Sequence, residues 1–178
     1  MVTSNSDLIT NRTSVPAVMN NVASSGGRMR VATGSMTIAD SAFDAANDVI
    51  RLCTLPSNAV VHEMYFICDD MDAGTDSLVD IGIYNTGDAS APGAVIDIVC
   101  FVDNSTAFRA AITGPAVNFR YGGGAGGLAT TAGDALWQNA QLSADPGGHM
   151  EIVMTQKATV SDDDGANAFA FIISYTID

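Results

Sequence analysis

The sequence predicts an all-β protein, an antiparallel β-sandwich that is most plausibly a jelly roll, preceded by an extended N-terminal arm. Hydrophobic residues recur at every second position in several runs, as in strands that bury one face. Clusters of Gly, Asn, Asp, Ser and Pro separate these runs. No repeating helix–strand pattern appears, so a parallel α/β fold is disfavoured. Seven or eight short strands with several long loops favour two packed sheets.

Each strand is predicted from alternation or from a β-rich run that turn residues end. The predicted strands lie around residues 36–38 and at 49–55, 60–68, 79–84, 95–102, 150–155 and 169–177. In the run 95–102, the even-numbered positions are wholly apolar. A weaker strand is predicted at 117–121. Short helices are predicted at 106–112, where Ser105 or Thr106 would cap the first turn, and near 134–140.

Charge and composition divide the chain into an arm, residues 1–29, and a β-sandwich domain, residues 30–178. Residues 1–39 hold three arginines and one aspartate, a net charge of +2, whereas the remainder holds four basic and nineteen acidic residues, a net −15. The arm is rich in Ser, Asn and Thr and contains two short apolar clusters, so it is typical of a segment that becomes ordered on a partner. The alternative is a frayed terminus.

Composition excludes several classes of function. The 178 residues carry a net charge of −13 and no basic face, so binding to nucleic acid is not expected. No apolar run approaches the roughly 20 residues that span a bilayer, and no secretory signal is visible, so no membrane partner is expected. Cys53, Cys68 and Cys100 show no C-x-x-C spacing and are interpreted as reduced, buried side chains. One disulfide plus a free thiol is the alternative.

The candidate chemical motifs all fail on spacing, so we predict no enzyme, no cofactor and no metal. His62 and His149 lie near glutamates but in no metal-binding pattern, and both are assigned structural roles. The acidic stretch 69–76 is similar to a calcium loop. Counted from Asp70, however, Thr75 stands where the EF-hand has its turn glycine and Ile81 where it has its bidentate carboxylate. The stretch is expected to form solvated turns whose side chains bond local backbone N–H groups, and weak calcium binding is the alternative. The glycine-rich stretch 122–127 lacks the Lys-Ser/Thr of a phosphate-binding loop.

Two further candidates bear on function. Trp137, the only tryptophan, is expected to cover one end of the core, and its alternative role is a platform that stacks on sugars. Glu63 and Glu151 are the only glutamates, and each is placed on the polar side of a strand rather than in a buried carboxylate pair. A hydrolase on a jelly-roll scaffold is therefore the weakest of the hypotheses.

Residues 29–87 resemble small phage virion proteins, in particular head decoration or cement proteins with a jelly-roll fold. The segments that carry the resemblance are 29–34 (MRVATG), 46–52 (ANDVIRL), 55–61 (LPSNAVV), 70–74 (DMDAG) and 79–85 (VDIGIYN). A C-terminal strand such as 169–177 is also common in chains of this kind. The match is a pattern over about a third of the chain, and it brings no catalytic or metal-binding residue with it.

The resemblance implies a non-enzymatic virion protein that is made in the host cytoplasm and binds the outer surface of the head. Its implied partners are the major capsid protein and two further copies of itself, in a homotrimer. The candidate contacts with the capsid are the basic and apolar residues of the arm and its root, namely Arg12, Val15, Val18, Arg28 and Arg30. The alternative function is a phage fibre tip or another receptor- or carbohydrate-binding β-sandwich.

Overall fold

The computed structural model describes residues 16, 18, 27–39, 42–72, 74–114, 118–122, 131–160 and 166–177. Two antiparallel sheets pack face to face, which confirms the predicted sandwich. The strands are β1 (Arg30–Ile38), β2 (Val49–Pro56), β3 (Ala59–Cys68), β4 (Val79–Asn85), β5 (Val95–Ser105), β6 (His149–Gln156) and β7 (Asn167–Ile177). The short helices are a 3-10 turn, η1 (Ala107–Arg109), then α1 (Phe119–Gly122) and α2 (Leu136–Asn139).

The chain passes repeatedly between the two sheets, as expected of a jelly roll. One sheet has three strands in the order β1-β7-β3, and the other has four in the order β2-β6-β4-β5. The first three connections each cross from one sheet to the other, β4 to β6 stay in the four-stranded sheet, and β7 returns to lie between β1 and β3. The last strand of the chain is therefore the central strand of the smaller sheet.

The core lies between the inner faces of the sheets. Ile81, Ile83, Ile152 and Ile173, from three different strands, have no solvent exposure. At one end of the core four phenylalanines, one of them Phe66, pack with ring centroids 4.9–5.8 Å apart. Edge and tilted contacts of this kind add to the stability gained from burying the rings.

The predicted strand at 117–121 is wrong, because the chain turns there into helix α1. The side-chain oxygen of Asn118 accepts the N–H groups of Arg120 and Met64, and this bends the chain at the edge of β3. The helix predicted at 106–112 shortens to η1, where the Ser105 hydroxyl accepts the N–H of Ala107 at 3.2 Å. The helix predicted near 134–140 is α2.

β5 departs from the alternation that its sequence suggests. Ile81 pairs with Val102 and Ile83 pairs with Asp97, so two steps along β4 match five along β5. The extra residues bulge over the outer face of the four-stranded sheet. As a result Phe101 is fully buried, whereas the apolar even-numbered residues from 96 to 100 are only half-buried.

Gly82 permits this bulge. A Cβ atom at Gly82 would collide with the backbone of Asp97 and Ile98, so the strand can pass over only a glycine. The outer face of the four-stranded sheet is covered at this point by its own edge strand.

Gly82→Ala should therefore destabilise the fold by about 1–3 kcal/mol, the usual cost of overpacking. Chemical denaturation followed by circular dichroism measures the free energy of unfolding. The matched control is Gly114→Ala, because a Cβ atom there meets nothing within 4 Å. Equal unfolding free energies for the two variants would contradict the close approach of β5.

Candidate interaction surface

The two histidines that were considered as metal ligands lie in different surroundings. His62 lies 2.9 Å from the Thr176 hydroxyl, and burial lowers its pKa. His149 lies exposed at the start of β6. In the part of the chain that the structure describes, no three His, Cys, Asp or Glu residues are arranged to hold a metal ion. No helix of the described ranges is long and apolar enough to cross a membrane.

The acidic loop after β3 bonds to its own backbone, as predicted. Asp72 accepts the N–H groups of Gly74 and Ser77 at 2.9 and 2.7 Å, and Asp70 accepts the N–H of Asp72. Asp72 is only 1% exposed, so this carboxylate is an internal turn former rather than a solvated one.

All three cysteines are free thiols, in agreement with the sequence interpretation. Cys68 is buried, and Cys53 and Cys100 are partly buried. Burial raises the pKa of both Cys53 and Cys100 to about 12, which leaves very little thiolate at neutral pH. They act as small hydrophobic side chains.

Glu151 lies on the outer side of β6, as predicted, but it is buried there at 4% exposure, which the sequence did not indicate. Arg51 from β2 lies over it and forms an ion pair with its carboxylate. On the same sheet Lys157 lies 3.2 Å from Asp103 and 3.6 Å from the buried Asp80. Each of these two buried carboxylates, Glu151 and Asp80, thus has a cation beside it, which offsets the cost of its desolvation.

Arg120 is completely buried, and the sequence interpretation missed it. Its guanidinium donates to the carbonyls of Val61 (3.3 Å) and Thr131 (2.8 Å). It also donates to the side-chain oxygen of Asn139 at 3.0 Å and lies 5.3 Å from the centre of the Phe101 ring. Arg120 therefore joins β3, β5 and the segment around α2. The one signal in the sequence was Asn118 just before it, since asparagine favours turns.

The structure describes six lysine and arginine residues, and four of them bond to groups within the domain. Three are Arg51, Lys157 and Arg120, and the fourth is Arg109, which donates to the carbonyl of Ser77 at 2.6 Å. The other two, Arg28 and Arg30, are exposed and form no ion pair or side-chain hydrogen bond with a described residue. Two exposed apolar side chains lie beside them, Met29 (60% exposed) and Val31 (56% exposed).

The other candidate contacts are located only in part. Val18 is 52% exposed. Arg12 and Val15 lie outside the described residues. The structure therefore brings Arg28 and Arg30 together at the start of β1 but does not place the arm residues relative to them.

The outer face of the three-stranded sheet is a second surface whose middle no described segment covers, and we call it the bare face. Its outward side chains are Val31, Thr33, Ser35 and Thr37 of β1, Ala168, Ala170, Ile172 and Ser174 of β7, and Glu63, Tyr65 and Ile67 of β3. Small residues in its middle form an open groove of about 740 Å³ and a second of about 420 Å³.

Val60, at one end of this sheet, is covered by Ala135 and the half-buried Trp137, which also packs against the main core as predicted.

Comparison with known proteins identifies the fold. No protein-family model and no curated protein matches the sequence. A chain in the capsid structure of Ralstonia phage GP4 matches with a TM-score of 0.57 and 20% identity, over 90% of this chain and 91% of that one. A chain in the cyanophage Pam1 capsid asymmetric unit matches with a TM-score of 0.53 and 15% identity, over 93% and 97%. The fold of this chain therefore also occurs in phage capsid structures, over nearly the whole length of both chains.

The bonding of Arg120 predicts that lysine cannot replace it. A single ammonium group cannot reach three acceptors on different segments, so Arg120→Lys should lower the free energy of unfolding by about 2–4 kcal/mol. Urea denaturation measures the change. Arg28→Lys, at an exposed position, is the control and should unfold at the wild-type urea concentration. A similar midpoint for both variants would contradict the structural role of Arg120.

Proposed function

We propose that this chain is a non-enzymatic structural protein of a phage virion, a decoration or cement protein that binds the outside of the head. The observation that carries the proposal is the fold similarity, over nearly the full chain, to chains of two phage capsid structures. The shared identity of 20% or less concerns the fold, and the role is our inference from it. The sequence resemblance to decoration proteins supports the same role independently of the fold.

Such a protein acts by adding interface area rather than by chemistry. Bound across the junctions between subunits of the major capsid protein, it would stabilise the shell because separating the subunits would also require breaking its contacts. The interior of this chain suits a passive role. Glu151 and Asp80 are paired with cations, the described titratable side chains form no metal-binding group, and the thiols of Cys53 and Cys100 are protonated.

The attachment site in this proposal is the arm and its root. Arg28 and Arg30 carry charges that no described carboxylate neutralises, and Met29 between them is 60% exposed. Guanidinium groups next to an apolar strip suit a shell surface that offers carboxylates around a hydrophobic patch. Arg12, Val15 and Val18 belong to the same proposal, as contacts made when the arm becomes ordered on the shell.

The proposal includes a homotrimer. One arm offers only a few contacts, but three arms on one particle raise the effective concentration of the second and third once the first is bound. A trimer would thus convert weak arm contacts into stable attachment. The alternative function, a fibre tip or carbohydrate-binding domain, predicts an aromatic platform that includes Trp137 or Tyr121. Trp137 packs against Val60 and Ala135, which does not favour this alternative, and the side chain of Tyr121 lies outside the described part of the structure.

Neutralising the root of the arm should weaken attachment. The double variant Arg28→Gln, Arg30→Gln should bind shells that lack this protein about tenfold or more weakly, because two charge-assisted contacts are lost. Co-sedimentation with the shells over a range of protein concentrations gives the affinity.

The control for this experiment carries the same change in charge elsewhere. Thr106→Glu with Thr159→Glu also lowers the net charge by two, at exposed positions outside the root. It should bind like the wild type. Equal weakening of both double variants would indicate a nonspecific charge effect and would contradict the assigned site. Failure of the wild type to bind any shell would contradict the function.

Deleting residues 1–27 should leave a folded sandwich that no longer attaches firmly. The core is built from strands that begin at Arg30, so the thermal unfolding temperature should change by only a few degrees. Circular dichroism measures the fold, and the same co-sedimentation measures the binding. A truncated chain that unfolds would show instead that the arm belongs to the core.

A further inference from the structure

The exposed hydrophobic residues of this chain are concentrated around one sheet. Six large hydrophobic side chains are exposed in the described residues, and four of them lie on or directly beside the bare face. Val31 is 56% exposed, Ile67 41% and Ile172 36%, and Met29 precedes β1. Contiguous exposed apolar surface is uncommon on a protein that remains alone, and it usually marks an interface.

Charge distinguishes this face from the rest of the molecule. The chain has twenty acidic residues and a net charge of −13, but the outward side chains of the bare face include one carboxylate, Glu63, and a second, Asp69, lies at the rim of the larger groove, where it accepts the N–H of Ala168. The outer face of the four-stranded sheet instead holds Asp80 and Glu151, and the bulge of β5 covers part of it. Two copies of so acidic a chain repel each other least where both surfaces are uncharged.

The edge of β1, which borders the bare face, is also unprotected. β1 pairs with β7 without a register shift from Arg30 to Ile38, and no described residue forms a backbone hydrogen bond with its other edge. An edge of this kind readily pairs with another chain. β1 contains no lysine, no proline and no bulge that would prevent such pairing.

The other three sheet edges each have protection. β3 is closed by Ile112, which exchanges backbone hydrogen bonds of 3.1 and 2.9 Å with Cys68, and by Asn118. β2 has a register shift and ends at Pro56, and β5 has three register shifts. The edge with which no described residue pairs and the apolar face with few carboxylates therefore coincide at β1.

We infer that the bare face and the free edge of β1 form the contact surface between copies of this chain. The occupant is a second copy, because like-charged copies of a strongly acidic chain repel each other least at a surface that has few carboxylates. This inference rests on the proposed function in one respect, since it locates the interface of the proposed homotrimer. In a closed trimer the surface of each copy meets a different surface of the next, which suits a face bordered by an edge.

The bare face alone is smaller than a standard interface, so the contact needs the edge of β1 as well. Three strands about 4.8 Å apart and about seven residues long, at about 3.3 Å per residue, give a projected area of roughly 300 Å². A standard interface buries about 800 Å² on each partner. The contact therefore extends over the edge of β1 and over Ala111 and Thr113, which line the larger groove.

The test is the mass of the free full-length protein, measured by sedimentation or light scattering without shells. The wild type should have a mass that is a multiple of 18.3 kDa. Val31→Asp and Ile67→Asp should each give an 18.3 kDa monomer, or raise the dissociation constant by about a hundredfold, because a carboxylate would be desolvated in the contact.

Val95→Asp is the matched control, because Val95 on β5 is 53% exposed and undergoes the same chemical change. It should keep the wild-type mass, and all variants should keep the wild-type unfolding temperature within a few degrees. A wild type that is monomeric at every concentration would overturn the inference, and so would face variants that keep the wild-type mass. Dissociation of Val95→Asp to the same extent would also overturn it, as a nonspecific effect.

A second measurement separates this inference from the proposed function. If a wild type that is monomeric binds shells and Ile67→Asp does not, the bare face is a shell contact and the inference is wrong while the function stands. If the wild type is oligomeric, dissociates with the face variants and binds no shell, the inference stands and the function is wrong.

Discussion

The packing of one sheet against the other is the interaction on which the rest of this structure depends. In a strand, a side chain that points toward the partner sheet has neighbours that point away, so each strand divides its residues between the core and the outside. The inner set is almost entirely apolar, and Ile81, Ile152 and Ile173 exclude water completely. Most polar groups of the described residues are thereby confined to the outer faces, the edges and the loops, and the buried Arg120 is the main exception.

The outer faces of the two sheets differ in how their side chains are covered. On the four-stranded sheet, buried carboxylates are paired with Arg51 and Lys157, and β5 folds over Gly82 to cover part of the surface. On the three-stranded sheet the outward residues are mostly small or apolar, with Glu63 and Tyr65 on β3 as exceptions, and no segment among the described residues covers the middle of this face. One face is completed within the chain, whereas the other is suited to completion by a second copy.

The basic residues fall into two groups, those bonded within the domain and those exposed at the start of β1. Those inside the domain join separate segments, and Arg120 does so with no solvent exposure at all. Those at the start of β1, Arg28 and Arg30, remain available to a partner. A domain that uses its cations internally and keeps two at one end suits a protein that attaches by that end and otherwise faces solvent. The proposed decoration role rests on this uneven distribution of exposed cations together with the fold.

The sequence by itself determined the sandwich, most of the strands and the interpretation of the acidic loop, because alternation and turn chemistry act between residues that are close in the chain. It also indicated the reduced state of the cysteines. Only the tertiary structure decided what depends on contacts between distant segments: the bulge of β5 over Gly82, the burial of Glu151 beneath Arg51, and the helical turn that places Arg120 in the core. In each case the outcome depends on a partner far along the chain, which the local sequence pattern does not identify. The bare face belongs to the same class, because its three strands come from widely separated parts of the chain and become one surface only when β7 lies between β1 and β3.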